Sequence, residues 1–239
     1  MRRIAAAVVV ILYSTTAFTQ ESEATRLLKA RTAEFRKDVV QVADNVYTAT
    51  GYSVQPVSMI VGTNGIVVVD TGLDTTSAQA VLAEFRKITA LPLKAIILTH
   101  GHGDHTGGLP VFAAEGSPDI WARDNLGDEN HAFEATGLTI NKKRGARQGG
   151  FLLPPEKRIN NGVAQAYYPK RGGAVFAADK SVQPTKQLTE GRKTIEYGGI
   201  KLDLVALNGE TRDALYVWFS DQRVLFSGDN FYKSWPNLY

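Results

Sequence analysis

The stretch ILTHGHGDHTGG, Ile97 to Gly108, places His100, His102 and His105 within six residues, with Asp104 among them, in a chain that holds four histidines in all. Neutral imidazoles suit Zn²⁺, and a carboxylate with a further imidazole offset from the first pair suits a second ion beside the first. Gly101 and Gly103 let the backbone turn sharply, so His100, His102 and Asp104 are expected to project at every second residue. His105 then faces differently, next to an expected helix start at Thr106. A polar turn or a metal-buffering histidine tract would need no such order, and H-x-H-x-D-H after an apolar run is far more specific than a lone H-x-H.

Such a cluster must be carried by rigid elements. LKAIILTH reads as a fully buried strand, a continuous apolar run rather than an alternating one, with the histidines at its end. Before it come short β-rich runs punctuated by glycine: NVYTATG, then VSMIVG and GIVVVDTG joined as a hairpin at Thr63-Asn64-Gly65. A helix is expected over about Ser77 to Ile88, with Ala80, Val81, Leu82 and Phe85 as its apolar face. Residues 194 to 228 return to strands (TIEYGG, IKLDLVAL, LYVWFS, RVLFSGD) joined by Gly and Asp turns. Meanders mixed with helices point to an α/β sandwich of two sheets with outer helices.

At 239 residues and 44% hydrophobic, the chain has the composition of a folded globular protein, not a disordered one. Met1-Arg2-Arg3, the apolar run Ile4 to Tyr13 and the small polar stretch Ser14 to Thr19 read as an export signal over residues 1–19, with a buried N-terminal helix as the alternative. The expected location is periplasmic or secreted. A helical segment over 20–44 follows, Leu27, Leu28 and Phe35 being its candidate buried positions, and the main domain is expected from 45 to 239. The absence of cysteine excludes disulfides and thiolate chemistry. Without Arg2 and Arg3 the net charge of +3 falls to +1, so no global basic field points to nucleic acid or, once the signal is removed, to a membrane.

THGHGDH, together with VVVDTG at Val67 to Gly72, resembles the metallo-β-lactamase superfamily from about Asn45 to Tyr239. The resemblance implies a four-layer αββα sandwich carrying one or two metals at the sheet edges. It implies that His100 and His102 bind a first metal and that Asp104 and His105 bind a second, Asp104 being also the expected catalytic residue. Asp70 is either a turn aspartate or the family's strand-end aspartate, placed behind the metals to orient ligands by hydrogen bonds. Most of the superfamily carries histidine in a Gly-His-Thr context, where LNGETRDALYVWF puts Glu210; FSGDN then supplies Asp229 at the place of the bridging carboxylate. Glutamate there resembles the alkylsulfatase branch, as does the ending GDNFYKSWPNLY. A solvated turn is the alternative for each of these acids. The implied sets are His100, His102, Glu210 and Asp229 for one zinc, and Asp104, His105 and Asp229 for the other.

Relatives complete the second metal with a late histidine, and none follows His131, itself expected on an exposed helix. The alkylsulfatase branch also continues into a helical dimerisation region and a lipid-carrier-like domain, which implies a homodimeric parent and a domain incomplete at its C-terminus. The irregular stretch Leu138 to Thr185 holds nine basic residues against two acidic ones, interleaved with Phe151, Tyr167 and Phe176. Read as a lid, it offers Arg144, Arg147 and Arg171 to an anionic head group and apolar wall to an alkyl chain; read otherwise, it is a solvated basic face. The expected function is therefore a zinc-dependent hydrolase acting on a small anionic amphiphile, an alkyl sulfate ester cleaved to alcohol and sulfate. The alternatives are a lactonase, β-lactamase or thioesterase of the same fold, which use histidine where Glu210 stands, or an inactive metal-binding fragment.

Overall fold

Seven strands lie side by side in chain order: β1 (Asp38–Ala43), β2 (Val46–Thr50), β3 (Val57–Val61), β4 (Ile66–Val69), β5 (Leu93–Ile97), β6 (Asp119–Arg123) and β7 (Lys186–Leu188). The first four pair antiparallel, and β4 to β7 pair parallel. A second sheet is an antiparallel meander of β8 (Arg192–Tyr197), β9 (Ile200–Ala206), β10 (Leu215–Phe219) and β11 (Val224–Phe226). This computed structural model describes residues 21–128, 152–160 and 183–231.

The central strands are largely apolar because both their faces are covered, although β5, expected to be fully buried, leaves Lys94 exposed near its start. In β4, Val67 and Val69 turn to the second sheet, where they meet Leu202, Leu204, Leu215 and Val217, while Ile66 and Val68 join the helix-side core. That core is completed by α2 (Thr75–Ile88) and α4 (Leu109–Ala113), which contribute Ala78, Val81, Phe85, Leu109 and Phe112. Helix α2 starts where the Asp74 carboxylate accepts from Ser77 N at 2.7 Å, and it carries Arg86 and Lys87 in its last turn, where the helix dipole favours cations. Phe85 is wholly buried, so truncation to alanine is expected to cost about 3–5 kcal/mol. The layering among the described residues is thus helix, sheet, sheet, with the hairpin β3–β4 closed by Gly62 N donating to Gly65 O at 2.9 Å.

Three expectations are corrected. The sheet begins at Asp38, ahead of the expected boundary at Asn45: β1 pairs with β2 along an edge, and its half-exposed pattern hides it from a reading based on apolar runs. The N-terminal helix α1 (Glu23–Arg31) buries none of its side chains, with Leu27 54% and Leu28 37% exposed. It is tied by hydrogen bonds instead, Asn160 Nδ2 donating to the backbone Leu28 O and to the side-chain Oγ1 of Thr32 at the helix C-cap. Helix α2 starts at Thr75, before Ser77, because Asp74 supplies the cap. No helix among the described residues is long and apolar enough to cross a membrane.

Candidate metal centre

The C-terminal ends of the parallel strands converge on the edge of the second sheet. Asp70 follows β4, Thr99 and His100 follow β5, and His102 precedes α3 (Gly103–Thr106), which carries Asp104 and His105. From the other sheet, Glu210 lies in the loop between β9 and β10, and Asp229 in a 3₁₀ turn after β11. The sheets are joined at this point by Leu215 N donating to Thr99 O at 2.8 Å. Gly228, at φ +53°, packs so closely that an added Cβ would stand 2.8 Å from Thr99 Cβ. The loop bearing Glu210 is held at both ends by buried Arg123, whose Nη1 donates to Leu207 O and Ala214 O. Asp213, 2% exposed, accepts from Gly127 N at 2.7 Å and packs on Gly101, between the two ligand histidines.

Two groups of donors result. His100, His102 and Glu210 form one; His100, His105 and Asp229 form the other, the ligand atoms within each lying no more than 4.8 Å apart. Glu210 Oε2 is 3.5 Å from His100 Nε2 and 3.3 Å from His102 Nδ1, and Asp229 Oδ1 is 3.3 Å from His105 Nε2. Ligand atoms about 2.0–2.2 Å from a tetrahedral zinc ion stand roughly 3.3–3.6 Å from one another, so these three separations are of the size that a shared zinc ion sets. The Nε2 atoms of His100 and His105 are buried with no hydrogen-bond partner, a costly arrangement for a polar atom unless it holds an ion.

Their free nitrogens follow from the network behind them. Asp70, 5% exposed, accepts from Thr99 N and Thr99 Oγ1, both at 2.8 Å, and from His105 Nδ1 at 2.7 Å. Since the one hydroxyl proton of Thr99 goes to Asp70, its oxygen is left to accept from His100 Nδ1 at 3.1 Å. Both imidazoles are therefore protonated on Nδ1 and present the Nε2 lone pair forward, as a metal requires. Asp70 sits at φ +58°, a region that aspartate enters more readily than most residues.

Without metal, the same contacts favour a proton on the imidazoles that an ion would have to displace. Burial acts to raise the Asp70 pKa, but the charge and hydrogen bond of His105 and the Thr99 amide outweigh it and hold the carboxyl below its usual range. Burial likewise opposes protonation of His105, yet Asp70, Asp229 and Asp104 together push it well above an ordinary imidazole. His102 is raised more modestly, burial being overcome by Glu210 and Asp104. Glu210, against its own desolvation, is held far below the usual carboxylate range by the neighbouring imidazoles of His100 and His102.

Among the residues expected at the site, His100, His102, His105, Glu210 and Asp229 are brought together, with Asp70 behind them. Asp104 is buried beside them but its carboxylate is in neither group. The helix starts at Gly103, so the every-second-residue projection expected from His100 to Asp104 stops there and each residue turns by about 100°. Asp229 falls in the group with His100 and His105, within reach of a histidine from each expected set. Arg144, Arg147, Arg171 and His131, the export signal and residues 232–239 lie outside the described residues. Thr99, Arg123, Asp213 and Gln55, which donates from Nε2 to Asp229 Oδ2 at 3.2 Å, were not expected at the site. Only Thr99 carried a signal, its place directly before the first histidine.

Comparison with known proteins agrees with this geometry. Residues 51–234 match the model of the metallo-β-lactamase superfamily. A linear primary-alkylsulfatase of Pseudomonas sp. (strain ATCC 19151) is 31% identical over 179 residues, 72% of this chain and 32% of that protein. The alkyl/aryl-sulfatase BDS1 of Saccharomyces cerevisiae is 24% identical over 208 residues, 83% of this chain and 31% of its own length. The chain thus spans about a third of the length of these relatives. Among solved structures, the stereoselective inverting sec-alkylsulfatase Pisa1 of Pseudomonas sp. superposes with a TM-score of 0.61 at 19% identity, covering 77% of this chain and 30% of that one. A double mutant of the same enzyme gives 0.65 at 20% identity, covering 83% and 32%. With a paired-sheet sandwich, a histidine-aspartate cluster at the strand ends and a family match over most of its length, the chain belongs to the metallo-β-lactamase superfamily and is similar to its alkylsulfatases.

Proposed function

We propose that in the whole protein this centre binds two zinc ions and serves a hydrolase that cleaves alkyl sulfate esters to alcohol and sulfate. The observation that carries the reading is Glu210, a carboxylate within 3.5 Å of two imidazole nitrogens at the place where most of the superfamily has a third histidine. The similarity to proteins named as alkylsulfatases supports the same choice. His100 has one free nitrogen and can serve one ion, so it is assigned with His102 and Glu210; His105 and Asp229, with Asp104 nearby, are assigned to the other. Zinc, when bound, supplies Lewis acidity and a water of lowered pKa, about 7.

The chain's own residues do the rest. Asp70 and Thr99 hold the Nδ1 hydrogens of the buried imidazoles, so that Nε2 is the atom left to meet a metal. Glu210, Asp229 and Asp104 set the charge: three carboxylates against two divalent ions leave one positive charge, which suits the single negative charge of an alkyl sulfate. Asp104, the remaining buried acid beside His102 and His105, is proposed to accept the proton released as water attacks. Arg144, Arg147 and Arg171 are proposed to supply a planar fork for the sulfate oxygens. The whole protein, loaded with zinc, is expected to release sulfate from a medium-chain alkyl sulfate. Turnover of a β-lactam or lactone without sulfate release would reassign it within the superfamily, and failure to retain any zinc would remove every hydrolase reading.

A further inference from the structure

Asp229 is the donor whose orientation is least obvious, since a carboxylate can turn either oxygen, or both, toward an ion. One of its oxygens is already engaged. Gln55 Nε2 donates to Asp229 Oδ2 at 3.2 Å, while Oδ1 faces His105 Nε2 at 3.3 Å. We infer that Gln55 is a positioning residue for the metal centre, holding Asp229 so that it offers Oδ1 alone. The inference rests on the two-zinc reading above.

The segment 51–56, between β2 and β3, is itself anchored where it can do this. Ser53 Oγ donates to Gln55 O at 2.9 Å, fixing the backbone that carries the amide. Ser53 and Val57 close over Gly72, where an added Cβ would stand 3.3 Å from Ser53 Oγ and 3.4 Å from Val57 Cγ2. Gly72 has φ +78° and lies two residues past Asp70, so the strand end that sets the tautomer of His105 also seats the loop that sets Asp229. An amide suits this place better than lysine or arginine would. It engages one oxygen without adding a cation that would compete with the metal for the same carboxylate. Free to rotate, Asp229 would lose a defined position for Oδ1, and the ion it shares with His105 would be held less tightly.

Gln55→Met keeps the length of the side chain and removes the donor. Zinc affinities are measured by competition with a chromophoric chelator, and the metal-free unfolding midpoint is measured alongside. One of the two zinc affinities is expected to weaken about tenfold or more, the other to stay within about threefold. The metal-free midpoint should stay within about 2 °C, which a merely structural role would not produce. Ser53→Ala, which removes only the support to the Gln55 backbone, is expected to give a smaller loss at the same ion, and it decides the matter should Gln55→Met fail to fold. Unchanged affinities, or a parallel fall in both accompanied by a lower metal-free midpoint, overturn the positioning role and leave the two-zinc reading standing. A parent protein that holds fewer than two zinc ions overturns that reading and this inference with it.

Discussion

Asp70→Asn tests the network behind the metal centre at its root. The substitution preserves shape, and asparagine tolerates the left-handed φ of +58° as well as aspartate does, so backbone strain contributes little. What changes is chemistry at one oxygen. Oδ2 accepts from both Thr99 Oγ1, at 2.8 Å, and His105 Nδ1, at 2.7 Å; an amide NH₂ in that place faces two donors. With the amide oxygen kept on Thr99 N, the other side must donate. His105 can then accept only by moving its proton to Nε2, and the Thr99 hydroxyl must turn toward His100, whose Nδ1 now has to accept from it. Both reversals place hydrogen on the nitrogens that would hold metal. Each affected ligand is expected to cost about 10- to 100-fold in zinc affinity. In the metal-free protein the three charge-assisted bonds to Asp70 are each replaced by a neutral one, a net cost of about 2–4 kcal/mol. At roughly 2–4 °C per kcal/mol for a domain of this size, the midpoint should fall on the order of 5–15 °C. Chelator competition and thermal unfolding read the two effects separately. A lower midpoint with unchanged zinc affinity would refute the tautomer argument and reduce Asp70 to a buried acceptor.

Thr99→Val is the milder counterpart: it removes the His100 acceptor and leaves the His105 bond intact, so one zinc affinity should fall by about tenfold and the other should hold. Glu210→Ala is expected to lose the ion held with His100 and His102, whereas Glu210→His should keep it with lower activity; tight zinc binding by the alanine variant would make Glu210 a surface turn residue. Zinc must displace protons from His105 and His102, both raised above the ordinary value of about 6.5, so apparent affinity should keep climbing as pH rises past that value and level only once both imidazoles have lost their protons. Glu210 is already ionised throughout that climb and should contribute nothing to the slope, and a pH-independent affinity would contradict the assignment. For the metal-free fold the sign is opposite: the raised His105 pKa stabilises most fully below about 6.5, and that contribution is lost as pH rises through its folded value. Removing the charge of the relevant one among Arg144, Arg147 and Arg171 should raise KM for an anionic ester and spare an uncharged one; equal effects for all three would mark the stretch as solvated surface.

How far each part could be read depended on the distance over which its cause acts. The histidine cluster was legible because its ligand-type residues are nearly consecutive, and β5 because Ala95, Ile96 and Ile97, buried on both faces, form an unbroken apolar run into Leu98. The hairpin β3–β4 announced itself through its Thr63-Asn64-Gly65 turn. By contrast β1 is half-exposed and β7 is three residues long, so neither leaves a pattern strong enough to see. Glu210 and Asp229 could be singled out only by resemblance, since nothing near them in the chain names a partner. Gln55 meets Asp229 across 174 positions, and Arg123 meets Ala214 across 91. No local pattern encodes either contact, because each depends on how two sheets face one another.

Asp70 shows why local reading stalls even at a residue it identifies. The sequence left two accounts of it, a turn residue or a ligand-orienting carboxylate, as though one had to be chosen. Its backbone does turn the chain, at φ +58°, immediately after β4 ends at Val69. That same turn brings the carboxylate across to the neighbouring parallel strand's end, where Thr99 and His105 donate to it. A residue continuing β4 in extended conformation would alternate in direction with Val69 along the sheet normal rather than reach sideways to β5. The conformation that makes Asp70 a turn residue is therefore the means by which it orients the histidines, and the two accounts describe one function.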